Sequence, residues 1–554
     1  MRFVRALVRK ERDLLLGAAV GLAMALVAFT PSFLAGTGPR WTHPANDYIA
    51  YLVSWYYFVA DAWRFPVFDV PAMGYPEGGN VTFNDGLPLL ALVSKAIVSF
   101  GGPALNPFGA WILLTWVLQG AMAVRLLRAC GGRGAWPAVA VACLAVAAAP
   151  FRNRTIHIAL SSHFLLLWAL ALYVECHADG KLRRVETVAL SALTLLVNAY
   201  LFVMVLAIQA AAVASFAWKR RGLSSELPFL CGWALLIALL LWMMGYGAFL
   251  AGGAAARANG FGRFSWNIPT LVVPPSVFGY AVPMVRDRTG GQYEGESFIG
   301  LGALLLLVLS AVAAPRGVWR AAREHWCLVL VILVLCVLAA TNAVWVGRHL
   351  VLHVRLSKRV LDWVGTFRAS GRFVWVLAYL LIVVPAAVLL QRWPRRTVAA
   401  VLAAAVVLQL SEWAPEARNK RRWSDSGHAD MFDTARLERW LSQHERVFVV
   451  RSFMCGYMQT PAPIFGSPES NRELQIQLLA ARLNKPINGV YTSRQVKDCP
   501  REQAWETAPR LEPGTLYLIG PHWIDASPPL QRALATASCR DLSWARACST
   551  QALP

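Results

Sequence analysis

The sequence NDYIAYLVSWYYFVADAWRFP, residues Asn46–Pro66, opens a loop that continues to Ile97 and follows the first apolar run of the chain. The loop mixes carboxylates, tryptophans and prolines, whereas most of the chain up to residue 410 consists of plain apolar runs. Apolar runs are committed to packing and lipid contact, so function concentrates in the loops between them. We therefore predict that residues 46–97 form an active-site loop lying against the outer surface of a membrane.

The composition is typical of a polytopic α-helical membrane protein. Of the 554 residues, 57% are hydrophobic and only 15% are charged. Apolar runs of about 17–25 residues recur along the chain, and this is the length that a helix needs to cross about 30 Å of hydrocarbon. The sequence therefore predicts an all-α transmembrane fold with a small α/β domain at its C-terminal end.

The formal net charge of +22 follows from the orientation of these runs. If the N-terminus is cytoplasmic, most of the excess Lys and Arg falls in segments on the cytoplasmic side, which is the positive-inside pattern. A nucleic-acid-binding protein would instead carry a basic face on a folded soluble surface. We see no such face in the sequence and exclude nucleic acid as a partner.

About eleven crossings are predicted. The first follows Arg9-Lys10-Glu11-Arg12 and is longer than the apolar region of a signal peptide, so we interpret it as a retained span. The apolar piece Leu87–Val98 is short and contains Lys95, so we interpret it as an interfacial helix. The predicted crossings are Leu14–Ala35, Pro107–Leu127, Gly134–Pro150, Ala159–Val174, two helices within Val185–Trp218, Pro228–Gly252, Phe298–Ala314, Trp326–Thr341, Phe373–Leu390 and Thr397–Leu410.

The composition changes to that of a soluble domain from Trp413 onward. We predict a transmembrane domain over residues 1–412, with large outer loops at residues 36–106 and 253–296, and a soluble α/β domain over residues 413–554. The helix-like segments of this tail are Ala435–His444 and Glu469–Leu483, and its strand-like segments are Arg446–Arg451 and Thr515–Ile519.

Four of the ten cysteines lie in the tail, and six lie in or beside predicted spans. An even number in an oxidising compartment predicts two disulfides, with three pairings open. The six in or beside spans are interpreted as small buried apolar residues. The tail cysteines are Cys455, Cys499, Cys539 and Cys548.

Asp47 is the sharpest candidate for a catalytic residue. It lies shortly beyond the first predicted span and beside an aromatic, helix-like segment. A carboxylate at such a partly dry boundary can take a raised pKa and act as a general base toward a hydroxyl or an amine. Asn46-Asp47 also suits the N-cap of that helix, and the two roles are compatible. Asp61 and Asp85 are alternatives, although each is more typical of an ion-pair or capping residue than of a metal ligand.

Six basic side chains at predicted outer helix ends are candidates for binding a lipid phosphate. Arginine offers planar donors that suit phosphate oxygens, and a helix N-terminus favours an anion. Snorkelling to the interface explains a single arginine well, but explains two arginines with histidines poorly. The candidates are Arg152, Arg154, His157 and His163 at one boundary, and Arg368 and Arg372 at the start of a later helix.

The segment Arg348–Arg372 is rich in Arg and Lys although the predicted topology places it outside. Either the topology changes there or these cations have an anionic partner on the outer side. Glu294, in the Gly-flanked turn Gln292–Gly295, is either an acceptor for a sugar hydroxyl or a solvated turn acid. It is also an alternative to Asp47 as the catalytic carboxylate.

Four patches of the sequence resemble the recurrent patches of an uncharacterised family of bacterial polytopic membrane proteins. These patches are Asn46–Ile97, Arg152–Leu167, Gln292–Gly302 and Phe367–Tyr379. That family in turn resembles the GT-C glycosyltransferases, which include protein O-mannosyltransferases and the lipid A aminoarabinose transferase. The likeness in layout extends over most of Met1–Leu410.

The resemblance to GT-C enzymes implies a mechanism. In that class a carboxylate early in the first outer loop is the catalytic base and a polyprenyl-phosphate sugar is the donor, which by position implies Asp47. Some members carry an Asp-x-Asp or Glu-x-Asp pair, whereas Asp47 is followed by Tyr48-Ile49. This departure puts a bound metal in doubt, so a divalent metal and other cofactors are not indicated.

We therefore predict a multi-pass enzyme of the bacterial inner membrane that moves a sugar from a polyprenyl-phosphate carrier to an extracytoplasmic acceptor. The acceptor would be a cell-envelope glycan, a lipid or a protein, and the C-terminal domain would be periplasmic. One alternative is a lipid-linked-sugar transporter or flippase, which needs ionisable residues within its spans; the predicted spans are nearly free of them. The other is a non-enzymatic envelope assembly protein, in which Asp47 would tolerate substitution.

Overall fold

The computed structural model describes residues 2–84, 86–220, 222–247, 260–274, 276–277, 280–456, 468–492, 499–520, 524 and 527–553. The chain forms two compact units, each assembled from separate segments. Unit 1 comprises Met1–Gly38, Pro107–Ala238 and Ala258–Asp425, and unit 2 comprises Pro39–Asn106, Leu239–Arg257 and Ser426–Pro554. The first outer loop thus belongs to the same compact unit as the tail. The division at residue 412 made from the sequence stays a prediction.

Helices of ten residues or more supply most of the architecture of the described residues. In chain order they are α1 Arg2–Ala28, α2 Asp47–Ala60, α3 Pro88–Ser99, α4 Phe108–Ala129, α5 Ala135–Ala147, α6 Phe164–Asp179, α7 Arg184–Val197, α8 Ala199–Arg220, α9 Leu227–Met243, α10 Leu301–Ala313, α11 Pro315–Glu324, α12 Trp326–Ala340, α13 Trp375–Arg392, α14 Arg395–Ser424 and α15 Pro468–Arg482.

Six helical segments of the described chain are long and apolar enough to cross a membrane, so we treat the protein as a membrane protein. A seventh crossing would come from α10 and α11 together, which are bent by 94°. The eleven crossings expected from the sequence are therefore not confirmed. The six segments are Phe108–Ala129, Ile158–Asp179, Ala199–Arg220, Ser224–Met243, Ser370–Arg392 and Arg395–Ser424.

The lower count has a physical cause in helix length. The crossings expected near residues 134–150 and 326–341 correspond to α5 and α12, which have 13 and 15 residues. At about 1.5 Å per residue such helices are roughly 20–23 Å long, which is shorter than the roughly 30 Å of hydrocarbon. The apolar run Val185–Trp218 forms two helices as expected. Helix α7 ends at Val197 and α8 begins at Ala199, with Asn198 between them. The Asn198 side chain accepts a hydrogen bond from the Tyr200 N–H at 2.9 Å.

Small residues bring the helices of unit 1 close together. Gly17 and Gly21 of α1 lie against α4, and a Cβ added to Gly120 of α4 would overlap the Gly17 carbonyl group. Glycine at such positions lets two helix backbones approach each other. Inside a membrane the hydrophobic effect does not drive helices together, so their association depends on such close packing.

Helix α2, which carries Asp47, packs against α15 within unit 2. Ten of its fourteen residues are buried, and these include Tyr48, Tyr51, Trp55 and Tyr57. Tyr57 donates a hydrogen bond from its hydroxyl to the Lys485 carbonyl at 2.6 Å. The aromatic helix expected at the membrane interface is therefore packed into the protein over most of its surface.

The tail portion of unit 2 contains a four-stranded sheet, and the described chain also holds three two-stranded pairs. The sheet order is β7-β8-β10-β9, with β7 and β8 parallel and the other neighbours antiparallel. The strands are β1 Asp69–Val70, β2 Gly79–Asn80, β3 Ser276–Val277, β4 Tyr280–Ala281, β5 Ala343–Val346, β6 His349–His353, β7 Arg446–Val450, β8 Thr515–Ile519, β9 Ser538–Asp541 and β10 Arg546–Ser549. The small α/β tail expected from the sequence is confirmed.

Two disulfides staple this tail. Cys455 bonds to Cys499 and Cys539 bonds to Cys548. The prediction that the four tail cysteines are oxidised in pairs agrees with this structure, which also selects one of the three pairings. The shorter loop joins neighbouring strands, since Cys539 and Cys548 are opposite each other in the β9–β10 pair.

Candidate functional site

A buried ion-pair cluster in unit 1 brings together four of the residues predicted from the sequence. We call Glu294, Arg154, Arg372 and His157 the Glu294 cluster. Arg154 donates from Nη1 to Glu294 Oε2 at 2.6 Å. Arg372 donates from Nε to the same oxygen at 3.1 Å, and its Nη2 lies 3.0 Å from Oε1. His157 Nε2 lies 3.8 Å from Oε1, so the carboxylate is surrounded by nitrogen donors.

Glycines allow the chain segments of this cluster to approach each other. Glu294 lies in a 3₁₀ turn, Gln292–Gly295, which the Gly-flanked sequence favours. A Cβ added to Gly371 would lie 2.9 Å from the Gly295 Cα, and one added to Gly295 would lie 2.8 Å from the Trp266 Cα. Larger residues would push the turn away from Arg372.

Aromatic rings flank the two guanidinium groups. Arg154 lies over the Trp375 ring at 5.2 Å, and Arg372 lies over the Tyr200 ring at 4.6 Å. Arg154 also donates from Nη2 to the Tyr293 carbonyl at 2.9 Å. Cation–π contacts are strengthened when the cation is removed from water, so the rings help to hold both arginines in place.

The charge state of Glu294 follows from its partners. Burial by itself would raise the pKa of this carboxyl, but the charges of Arg372 and Arg154 outweigh burial and hold the pKa below its ordinary value. The side chain is only 5% exposed, so the interpretation of Glu294 as a solvated turn acid is wrong. A carboxylate with a lowered pKa is a weak proton acceptor, and this geometry favours a positioning role over a catalytic one.

Arg152 is engaged by carboxylates of the last membrane helix. Its Nη2 donates to Glu412 Oε1 at 3.1 Å, and its Nε lies 2.9 Å from Glu416 Oε2. Lys420 Nζ lies 2.8 Å from the other oxygen of Glu416 and also donates to the Arg152 carbonyl. Two cations and two carboxylates balance each other here, so a phosphate would have to displace a carboxylate to reach Arg152.

His163 is fully buried and makes a side-chain contact with another helix. Its Nδ1 and the Tyr379 hydroxyl share a hydrogen bond of 2.7 Å, and its ring lies 4.3 Å from the Trp375 ring. The side chain has no exposed surface. This placement differs from the phosphate contact expected of His163, and it joins α13 to the start of α6.

Arg368 differs from the other predicted arginines. It is only partly buried, and it has no ion-pair partner among the residues that the structure describes. Its guanidinium lies over the Phe264 ring at 5.8 Å, and Arg263 lies over the same ring at 5.6 Å. Arg263 is exposed and is likewise without an ion pair in the described chain. We call these three residues the Phe264 patch.

Asp47 is the first residue of α2 and is partly exposed. The N-cap position belongs to Asn46, whose side chain makes no capping hydrogen bond, so the capping role suggested for Asp47 is not observed. Asp61 follows the end of α2 and forms an ion pair with Arg64 at 2.5 Å, which agrees with the more ordinary of its two interpretations. Asp85 lies outside the described residues.

Several residues of these clusters were missed from the sequence. Glu412, Glu416 and Lys420 follow one another at intervals of four, which places them on one helical face, but the last span was expected to end at Leu410. Glu296 accepts a hydrogen bond from Asn153 at 2.5 Å, and burial raises the pKa of its carboxyl. Tyr379 gave no signal, because an isolated tyrosine in an apolar run is ordinary.

Metal-ligating side chains come together elsewhere in unit 1. Within the described chain, the group of three or more such ligands close enough to share an ion is His177, Glu324 and His325. None of these residues was a predicted site residue. The predicted site residues Arg154 and Arg372 instead donate hydrogen bonds to Glu294.

A search of curated proteins finds no match to this sequence. Among solved structures, the chain is similar to an oligosaccharyltransferase of Archaeoglobus fulgidus tethered with an acceptor peptide, with a TM-score of 0.44 and 10% identity over 90% of this chain and 66% of that one. It is also similar to the oligosaccharyltransferase AglB of that organism in complex with an inhibitory peptide and a dolichol-phosphate, with a TM-score of 0.38 and 10% identity over 87% and 64% of the two chains. The chain therefore spans slightly less than two thirds of these two proteins. We draw no argument from likenesses of this size.

The family comparison is stronger. One family model matches residues 18–414 and a second, for the C-terminal domain of the same family, matches residues 436–550. The two matches cover both the helical part and the soluble tail. The expectation of an uncharacterised family is confirmed, and the chain belongs to the family described as "Domain of unknown function (DUF6311)".

Proposed function

We propose that this chain is a membrane-embedded glycosyltransferase of GT-C type. It transfers a sugar from a polyprenyl-phosphate carrier to an extracytoplasmic acceptor in the cell envelope. In this proposal the protein lies in the bacterial inner membrane, with a cytoplasmic N-terminus and a periplasmic tail. The sugar acceptor is a glycan, a lipid or a protein.

The placement of Asp47 carries the proposal. Asp47 is partly exposed, although its Oδ1 is a buried oxygen, while the helix that begins with it is packed into unit 2 through its aromatic face. A general base must be fixed in position and must still reach its substrate. Asp47 meets both conditions, whereas Glu294 is buried between two arginines.

The proposal assigns the lipid phosphate to the Phe264 patch. Arg152, Arg154 and Arg372 are already compensated by carboxylates. Arg368 and Arg263 carry positive charge without an ion pair in the described chain, and planar guanidinium groups bind phosphate oxygens in pairs of hydrogen bonds. The Glu294 cluster then acts as a support that fixes the segment containing Arg368.

Substitution of Asp47 by asparagine tests the catalytic assignment. The side chain keeps nearly its shape but loses proton abstraction, so the rate should fall about 10²–10⁴-fold. The measurement is release of polyprenyl phosphate from synthetic polyprenyl-phosphate sugars, incubated with the purified protein and an envelope extract as the acceptor. Asp61→Asn is the matched control, because it makes the same change in the same loop and should retain activity.

The outcomes separate the three functional classes. Parental activity in Asp47→Asn, with activity also retained in Asp61→Asn, would show that Asp47 is not the base and would move the catalytic role to Asp85. Binding of the donor without turnover, combined with its transfer across a vesicle membrane, would replace the enzyme with a lipid-linked-sugar transporter. If the protein shows neither binding of the donor nor turnover, the result would favour a non-enzymatic envelope assembly protein.

A further inference from the structure

A second cluster in unit 1, His177, Glu324 and His325, joins the ends of three helices. His177 lies near the end of α6, Glu324 is the last residue of α11, and His325 stands between α11 and α12. The imidazole rings of the two histidines are 4.2 Å apart, and His177 Nε2 lies 3.6 Å from Glu324 Oε1. The charge distribution of the sequence predicts these helix ends on the cytoplasmic side.

The His177 ring is oriented toward the cluster by an outer hydrogen bond. Its Nδ1 and the Ser215 hydroxyl share a hydrogen bond of 2.8 Å, which leaves Nε2 facing the other two residues. His177 is only 8% exposed, and its buried Nε2 has no hydrogen-bond partner within the part of the chain that the structure describes. A histidine whose second nitrogen is fixed by a neighbour while the first remains open is the usual arrangement of a metal ligand.

The spacing suits a transition-metal ion. One ligand atom from each residue lies within 4.8 Å of the other two. In tetrahedral zinc sites with bonds of about 2.0–2.1 Å, neighbouring donors are about 3.3 Å apart, so closing the site requires small side-chain rotations only. The Glu324 side chain is 60% exposed, which gives it freedom to rotate and gives an ion a path from solvent.

Two histidines and one glutamate are a common ligand set for zinc, with a fourth position left for water or another ligand. Lys219 brings a positive charge close to the site, where its Nζ donates to the His177 carbonyl at 2.9 Å. This positive charge would repel a divalent ion, and the negative charge of the Glu324 carboxylate offsets the repulsion.

We propose that His177, Glu324 and His325 bind one divalent transition-metal ion, with Zn²⁺ as the expected occupant. The ion would fasten α11 to α6. None of the ten residues of α11 is buried, so this helix has little packing of its own to hold it. The inference does not depend on the proposed transferase activity.

Zinc binding by the purified full-length protein in detergent tests the proposal. After removal of metal with a chelator, the protein is equilibrated with ZnCl₂, separated from free ion and assayed for bound zinc. We expect one equivalent in the wild type that is lost in the variant His177→Ala/His325→Ala. The matched control is His349→Ala/His353→Ala, which removes two histidines of the exposed strand β6 and should keep the equivalent.

Two further measurements guard against a folding defect. Glu324→Gln changes an exposed side chain, so it should fold normally while its affinity for Zn²⁺ falls at least about ten-fold through the loss of one ligand. Hydrogen exchange across residues 315–324 should slow when Zn²⁺ is added to the wild type and stay unchanged in Glu324→Gln. Equal zinc content and affinity in the wild type and in both cluster variants would overturn the proposal, and so would unchanged exchange in the wild type.

Discussion

Glu294 and Glu473 are buried to nearly the same degree, with 5% and 6% of their surface exposed, yet their surroundings are opposite. Glu294, in unit 1, lies between the guanidinium groups of Arg154 and Arg372. Glu473, on α15 of unit 2, has Glu502 as a charged neighbour, and among the described residues its buried Oε1 has no hydrogen-bond partner. Burial and the charge of Glu502 both raise the pKa of Glu473 well above its ordinary value.

The comparison shows that burial does not decide what a carboxylate does. Removal from water penalises the charged form of both glutamates. Two arginines reverse this penalty at Glu294, while Glu502 adds to it at Glu473. Glu502 itself accepts hydrogen bonds from the Ser452 N–H at 2.5 Å and the Ser452 hydroxyl at 2.7 Å.

The largest effect is expected for Glu294→Gln. The substitution leaves two buried guanidinium groups without their counter-charge, which should lower the free energy of unfolding by about 3–5 kcal/mol. Thermal unfolding of the detergent-solubilised protein, followed by tryptophan fluorescence, measures it. The control Glu438→Gln makes the same change at an exposed position and should have little effect. A Glu294→Gln protein as stable as this control would mean that the Glu294 cluster does not hold unit 1 together.

A smaller effect of the opposite sign is expected for Glu473→Gln. The pKa of Glu473 is raised in the folded protein, so the folded state binds its proton more tightly than the unfolded state does. Stability from this group is then complete below the unfolded pKa and is lost as the pH rises through the folded pKa. The amide of glutamine cannot ionise. The substitution therefore removes the penalty of keeping a buried carboxyl beside Glu502, and it should stabilise the variant by about 1–3 kcal/mol at pH 8.

The pH dependence provides the decisive observation for Glu473. The difference between variant and wild type should grow from pH 5 to pH 8 in thermal unfolding. Glu294 should show little change between pH 5 and pH 8, because its pKa is lowered: the stability it gives is complete above the unfolded pKa and is lost only as the pH falls below that value toward the folded pKa. A Glu473→Gln variant that is equally destabilised at pH 5 and pH 8 would refute the raised pKa of Glu473 in the folded protein.

Local sequence patterns predicted the elements but not the pairs between them. Apolar runs predicted helices, and the strand-like segments Arg446–Arg451 and Thr515–Ile519 predicted β7 and β8. Pairing of Glu294 with Arg154 and Arg372 spans 140 and 78 residues, and no local pattern records such distances. One hint was present: the basic segment Arg348–Arg372 suggested either a change of topology or an anionic partner on the outer side, and Arg372 forms an ion pair with Glu294.

The number of crossings predicted from the sequence, about eleven, is not confirmed for a related reason. An apolar run shows that a segment avoids water, but a segment buried among other helices avoids water as well as one that crosses lipid. Helix α5 has nine buried residues among its thirteen, so much of its apolar surface faces protein. The position of Asp47 was easier to predict, because the start of an aromatic helix is a local feature of the sequence.

The smallest effect is expected for the exposed counterpart of the Glu294 cluster, the ion pair between Asp61 and Arg64. Its side chains are 19% and 33% exposed, and the pair joins residues only three apart. Water and salt screen such a pair, so its contribution to stability should be about 0.2–1 kcal/mol. A double-mutant cycle with Asp61→Ala and Arg64→Ala, measured by thermal unfolding at low and high salt, isolates the coupling energy of the pair.

We expect this coupling energy to shrink at high salt, because the pair is open to counter-ions, whereas the Glu294→Gln effect should change little. A coupling above about 2 kcal/mol that is insensitive to salt would mean that Asp61 is as strongly engaged as Glu294, and Asp61 would then be unsuitable as the control for Asp47.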